Sequence, residues 1–177
     1  MQRIILIGSG GSGKSTLARQ LGEVLNLPVI HLDALYWKPG WVETPRPEWE
    51  AVQRELVARD RWVMDGNYGH TLDIRLAAAD TVIFMDVSRW VCLWGAIKRR
   101  ITYAGRSRPD MNPGCPEQLD WQFLRWIWEF PTTRRPRLEA KLANLRPDQT
   151  LVRIRSRSEG ARFVEALRTG AALGAVR

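Results

Sequence analysis

The chain has 177 residues, 45% of them hydrophobic and 26% charged, with a formal net charge of +8 and a pI near 10.3. This balance suits one folded domain over residues 1–177 and excludes a disordered chain, while two cysteines, Cys92 and Cys115, are too few and too far apart for a disulfide framework or a cysteine-based zinc site. The excess of positive charge calls for an anionic partner: nucleotide phosphate, nucleic acid or an acidic surface.

The first apolar run, residues 4–7, has the character of a strand buried on both faces. "GSGGSGKST" follows it at residues 8–16, ahead of a helical pattern over 14–25. The stretch fits G-x-x-x-x-G-K-[ST], with Gly8, Gly13, Lys14 and Ser15 in the fixed places. Glycines allow the positive φ angles that turn successive backbone N–H groups inward, making a concave anion site at a helix N-terminus. The expectation is that Gly8, Ser9, Gly10, Gly11, Ser12, Gly13, Lys14, Ser15 and Thr16 bind the phosphates of ATP. Lys14 would reach the β- and γ-phosphates, and the Ser15 hydroxyl would sit on Mg²⁺.

A second strand is expected at 28–32, closed by Asp33, then a helix at 47–59 and a third strand at 62–64, closed by Asp65. Ligands of open α/β sheets bind at the carboxyl ends of strands. In a sheet of order 2-3-1-4-5, Asp65 faces the glycine loop and can hold Mg²⁺, and Asp33 points to an acceptor whose hydroxyl proton it can take. Trp37, Trp41 and Tyr68 lie just past these strands, where rings can stack on an acceptor, and Arg75 is placed in the same substrate pocket. His31 and His70 lie near the same mouth and are taken as hydrogen-bonded structural residues.

A fourth strand at 81–86 precedes a helix at 89–103, with Ser88 as its N-cap and Asp86 fixing its start. Further helices are expected at 118–130, 136–145 and 160–168, and a fifth strand at 150–154. Alternation of strands and helices gives a three-layer α/β/α domain with a five-stranded parallel sheet. More than sixty residues part the last two strands, so a lid is inserted at about 104–136, opening with the exposed "YAGRSRPDMNPGCPE". Between Arg89 and Arg137 stand ten Lys or Arg against four Asp or Glu. Of these, Arg99 is expected on the nucleotide and Arg100, Arg106 and Arg108 on the transferring phosphoryl group, with Arg134, Arg135 and Arg137 as a further basic group. The tryptophans Trp90, Trp94, Trp121, Trp126 and Trp128 recur at helical spacing and are assigned to the core. The terminal "TGAALGAVR" is expected to fray.

No Asn-Lys-x-Asp motif is present, which excludes an ordinary GTPase, and the length suits a metabolite kinase better than a motor ATPase. No apolar run reaches the ~18 residues of a membrane span, and a strand begins within three residues of Met1, so the expected location is cytoplasmic. The composition is silent on oligomeric state. Two readings remain: a small-molecule kinase with ATP, Mg²⁺ and a nucleoside, nucleotide or similar acceptor, and an ATP-binding protein associated with nucleic acid, for which no helix-turn-helix, zinc or RNA-recognition signature is present.

"GSGGSGKST", "HLDALYWKPGWVE", "VMDGNYGHTLDIRLAAADTVIFMDV", "LWGAIKRRI" and "RPDMNPGCPEQLDWQFLRWIWEF" together resemble the DNA topology modulation proteins (FlaR-like), a branch of the adenylate-kinase-like P-loop kinases. The likeness runs from Met1 to about Arg157. It implies an ATP-binding, Mg²⁺-dependent kinase fold with nucleotide-like substrates, and an association with DNA supercoiling. By position, Gly8 to Thr16 match the phosphate loop, Asp65 resembles the Asp of the adenylate kinase "DG" strand, and Arg99 with Arg100 resemble the arginines that lead into the lid. The AMP-clamping arginine pattern after the second strand is absent, so the resemblance does not extend to AMP as acceptor.

Overall fold

The computed structural model describes residues 1–118 and 120–170. Leu119, within the expected lid, and residues 171–177, most of the expected fraying end, lie outside the described residues. Five strands, β1 (Arg3–Gly8), β2 (Val29–His31), β5 (Trp62–Asp65), β6 (Thr81–Met85) and β7 (Thr150–Ile154), form one parallel sheet in the order β2-β5-β1-β6-β7. Counted among themselves along the chain, these strands run 2-3-1-4-5, as expected. A two-stranded hairpin, β3 (Trp37–Lys38) with β4 (Val42–Glu43), stands apart from the sheet.

β1 is buried from Ile4 onward, and its alternate side chains serve different layers. Ile5 and Ile7 face a core shared with Met64, Phe84 and the helices α3 (Arg46–Val57), α4 (Leu72–Ala78) and α7 (Arg135–Leu142). Ile4 and Leu6 face the opposite core, built with Val63 and Ile83 on α1 (Lys14–Leu25) and α8 (Arg157–Arg168). Helices thus cover both sheet faces, which is why these strands lack polar alternation.

The remaining helices are α2 (Leu32–Tyr36), α5 (Arg89–Thr102) and α6 (Trp121–Thr133). The expected lid corresponds to the loop after α5 together with α6. α6 starts where the Asp120 carboxylate accepts from Phe123 N–H at 2.6 Å, an N-cap that satisfies one of the helix's open donors. Two expectations fail near here. Asp86 does not cap α5; it receives Arg135 at 2.7 Å and lies 3.6 Å from Arg153, tying the sheet's edge to α7. The tryptophans assigned to the core are largely outside it: Trp90, Trp94, Trp121 and Trp128 are 66%, 61%, 77% and 42% exposed, and only Trp126 packs inward, between Phe123 and Phe130. Helical spacing repeats on either face of a helix, so it cannot tell the buried stripe from an exposed one. No described helix is long and apolar enough to cross a membrane.

Candidate active site

The glycine loop lies between β1 and α1, against the loop that leaves β5. Gly8 and Gly11 have φ of +144° and +72°, and a Cβ on either would meet backbone oxygen, Met85 O at 2.5 Å and Cys92 O at 2.1 Å. Only glycine fits both the conformation and the space. α1 begins at Gly13 with no side-chain cap, so the first-turn N–H groups point into the cleft without a helical partner, the arrangement that receives phosphate oxygens. The Lys14 ammonium donates to Gly8 O at 3.0 Å and Ser9 O at 2.9 Å, lying across the loop it serves.

Asn67, in "DGNY", holds this loop from the neighbouring strand. Its Oδ1 accepts from Gly8 N–H at 2.9 Å and its Nδ2 donates to Gly8 O at 2.6 Å. Arg157 at the start of α8 donates to Gly11 O at 2.8 Å. Neither residue stands out in the sequence, because each acts on a backbone distant along the chain. Asn67→Ala removes both bonds to Gly8; with about 1 kcal/mol net for each, the KM for ATP in a steady-state assay is expected to rise roughly ten- to thirtyfold with kcat little changed.

Asp65 ends β5, beside β1, so its carboxylate projects at the glycine loop. Its Oδ2 is 3.2 Å from His31 Nδ1, and its Oδ1 is buried with no hydrogen-bond partner. Burial works to raise this carboxyl, but the His31 hydrogen bond, the Lys14 charge and the Ser15 hydroxyl together outweigh it and hold it below the usual carboxylate range. An ionised carboxylate with a spare oxygen beside a serine hydroxyl is the donor set that suits Mg²⁺, which takes one or two protein oxygens and fills its octahedron with phosphate and water.

Asp33 sits in the first turn of α2 rather than at a strand end, and lines the cleft. The Tyr68 hydroxyl donates to its Oδ1 at 2.7 Å. Burial raises the Asp33 carboxyl, the Tyr68 hydrogen bond offsets this in part, and the nearby Asp65 charge adds to the rise. The Tyr68 hydroxyl is pushed strongly upward by burial and by Asp33, so it remains a donor. Trp37, Trp41 and Tyr68 line the same end of the cleft, with the Trp37 and Trp41 rings edge to face at 5.4 Å.

Arg75 is a correction. It is fully buried and contributes nothing to the cleft lining; its guanidinium donates to Gly66 O at 2.7 Å, Asn67 O at 2.5 Å and Tyr68 O at 3.2 Å. Burial pulls its pKa down to about 10. Its three carbonyl bonds hold the "DGNY" turn, including Tyr68 at φ 33°, in the shape that presents Asn67 and Tyr68.

The lid brings Arg99 and Arg108 to the cleft and leaves Arg100 and Arg106 off its lining, a second correction. Successive helical residues point about 100° apart, so α5 can aim only one of Arg99 and Arg100 inward. Arg106 is exposed in the turn after Tyr103. Among the other lid arginines, Arg135 is committed to Asp86 and Arg134 stacks over Trp126 at 5.1 Å. The lid's organising residue is Glu117, which sequence reasoning missed. Its side chain is 1% exposed, and it pairs with Arg99 and Arg108, each at 2.7 Å; Arg108 also pairs with Asp110 at 2.8 Å. The lid then docks on the β3–β4 hairpin, where Trp41 Nε1 donates to Pro116 O at 3.1 Å and Gly40 N–H to Gly114 O at 3.0 Å. Glu117→Gln keeps the shape and removes the charge shared by two guanidinium groups. At about 1–3 kcal/mol for such a loss, the loop between residues 103 and 118 is expected to become the first site of limited proteolysis.

The glycine loop, Asp33, Asp65 and the two lid arginines line one cleft of 970 Å³, large enough for a nucleotide and a small acceptor together. No family model matches the chain. A shikimate kinase of Rhodococcus jostii (strain RHA1) is 27% identical over 137 residues, spanning 70% of this chain and 78% of that protein. The solved shikimate kinase of Aquifex aeolicus vf5 superimposes with a TM-score of 0.55 at 20% identity, covering 98% of this chain and 99% of its own. A gluconokinase from Sinorhizobium meliloti 1021 gives a TM-score of 0.51 at 17% identity, covering 97% and 91%. The fold is that of the P-loop kinases.

Proposed function

We propose that the chain is a small-molecule kinase, one P-loop domain with a lid at about 104–136, that moves the γ-phosphoryl group of ATP onto a hydroxyl held at Asp33. The observation that carries this reading is the convergence in one cleft of a phosphate loop with Lys14, a buried Asp65 with a spare oxygen beside Ser15, and an Asp33 whose proton affinity is raised. The sequence likeness to a protein named shikimate kinase supports the kinase half of it.

The backbone N–H groups of residues 10–15 and the Lys14 ammonium bind and orient the polyphosphate. Ser15 and Asp65 would hold Mg²⁺, which would supply charge neutralisation to the polyphosphate. The acceptor hydroxyl loses its proton to an Asp33 carboxylate oxygen as its own oxygen bonds to the γ-phosphorus, and the bond from that phosphorus to the β,γ-bridging oxygen breaks to release ADP. Arg99 and Arg108 place positive charge over the transferring group, and the lid excludes water that would otherwise take the phosphoryl group. Such an enzyme works where ATP is abundant, in the cytoplasm.

The narrower likeness to the DNA topology modulation branch rests on the sequence motifs alone. The alternative that goes with it, an ATP-binding protein acting on DNA, draws on the +8 charge, but several of the basic side chains around the lid are held in ion pairs rather than presented together on an open face: Arg99 and Arg108 with Glu117, and Arg135 and Arg153 with Asp86 and Glu139. The kinase reading is tested by following ADP release with MgATP and a panel of sugars, nucleosides, nucleoside monophosphates and hydroxy acids. Acceptor-dependent turnover supports it. Its absence across the panel, with tight duplex DNA binding of steep salt dependence, favours the alternative.

A further inference from the structure

We infer that the acceptor is an uncharged, ring-shaped polyhydroxy compound, a sugar or nucleoside, and that the cleft discriminates against carboxylate- and phosphate-bearing acceptors. The inference rests on the kinase reading above and narrows it. An anionic acceptor needs a cation free to pair with its charge. Of the cations lining the cleft, Arg108 and Lys14 are those whose charge reaches Asp33, and Arg108 is fixed in place: its side chain is 7% exposed, between Glu117 at 2.7 Å and Asp110 at 2.8 Å, where its charge serves the transferring group and cannot turn to an acceptor anion. Arg75, which could have served, is sealed behind the carbonyls of residues 66–68. Lys14 belongs to the polyphosphate.

What remains for the acceptor is acidic and aromatic. Asp33 and Asp110 both line the cleft and can accept hydrogen bonds from hydroxyls; Asp110 is compensated by Arg108, so Asp33 is the carboxylate that would repel an acceptor anion. The Trp37 and Trp41 rings, edge to face at 5.4 Å, and the Tyr68 ring offer apolar surface against which a sugar or base can lie. Hydroxyl-accepting carboxylates beside aromatic faces suit a neutral polyol ring. The Asp33 carboxylate also acts as a repulsive element against the anionic counterparts of the same ring.

Matched acceptor pairs test this directly: glucose against gluconate, methyl shikimate against shikimate, and adenosine against AMP, each with saturating MgATP. The uncharged member is expected to have the higher kcat/KM, by at least about fivefold, the smallest effect of leaving one buried polar group unpaired. Asp110→Asn frees Arg108 from one partner and should narrow that ratio severalfold by improving turnover of the anionic member. The inference is overturned if the anionic member is preferred, if the ratio is unchanged in Asp110→Asn, or if no uncharged acceptor is phosphorylated by protein that binds MgATP in calorimetry. A protein that fails to bind MgATP overturns instead the kinase reading beneath it.

Discussion

Replacing Lys14 with alanine is expected to lower kcat by about 10²–10³, the loss typical of removing one preorganised donor from a developing charge. In the structure the Lys14 ammonium spans Gly8 O and Ser9 O, so its stem already crosses the loop and its charge sits at the mouth of the phosphate site. The glycine loop itself should survive the change. Gly8 remains held by both bonds from Asn67, and Gly11 by Arg157. Far-UV circular dichroism and thermal unfolding of Lys14→Ala should therefore match the wild type within a few degrees while single-turnover phosphoryl transfer collapses. A variant that keeps wild-type kcat would remove Lys14 from the chemistry.

Asp33→Asn should have an effect at least as large and a distinctive pH signature. Removing a general base lowers rates by about 10²–10⁴. The wild-type rate should fall on the acid side as Asp33 gains its proton, at a pH above the ordinary carboxylate range, because burial raises this group with only partial relief from Tyr68, Arg108 and Lys14. Asp65 lies below that range and so cannot produce the same limb. Stability runs the other way. A carboxyl whose folded pKa is raised binds its proton more tightly in the folded state, so its ionisation opposes folding, and the penalty sets in as pH rises through the unfolded pKa and is complete above the folded one. The replacement amide carries no charge and can still accept the Tyr68 hydroxyl. Asp33→Asn is thus expected to be more heat-stable at pH 7, by roughly 2–4 °C for each kcal/mol relieved, and to lose that advantage in acid. An inactive variant with no gain in melting temperature would contradict the desolvated base.

Asp65 carries the opposite sign. Its lowered pKa means that the ionised form stabilises the fold above the unfolded carboxylate pKa, and this contribution is lost as pH falls through the lower, folded value. Acid unfolding should therefore show Asp33 and Asp65 acting against each other.

The sheet was legible because its strands are short apolar runs separated by helical patterns, and because the glycine loop anchors the first of them. The same spacing placed Asp65 beside the loop, which the pairing of β1 with β5 accounts for. Much less of the acceptor side could be read. The stretch "DALYWKPGWVE" packs a five-residue helix and a two-residue hairpin into a segment too short for any period to show. Arg75 was misjudged because a buried arginine that holds backbone carbonyls has the same sequence appearance as one that holds a substrate. Glu117 was invisible for the same reason that it matters. Its partners come from α5, for Arg99, and from inside a proline- and glycine-rich loop, for Arg108, and only the folded chain brings them to one carboxylate.

The proposed chemistry depends on the first turn of α1 and its lysine receiving polyphosphate. Backbone amide resonances followed during titration with a Mg²⁺-loaded, non-hydrolysable ATP analogue test that directly. Saturable shifts concentrated at residues 10–16 and at Asn67, abolished in Lys14→Ala, are the predicted result; no saturable shift at millimolar analogue, or shifts confined to another surface, would contradict it.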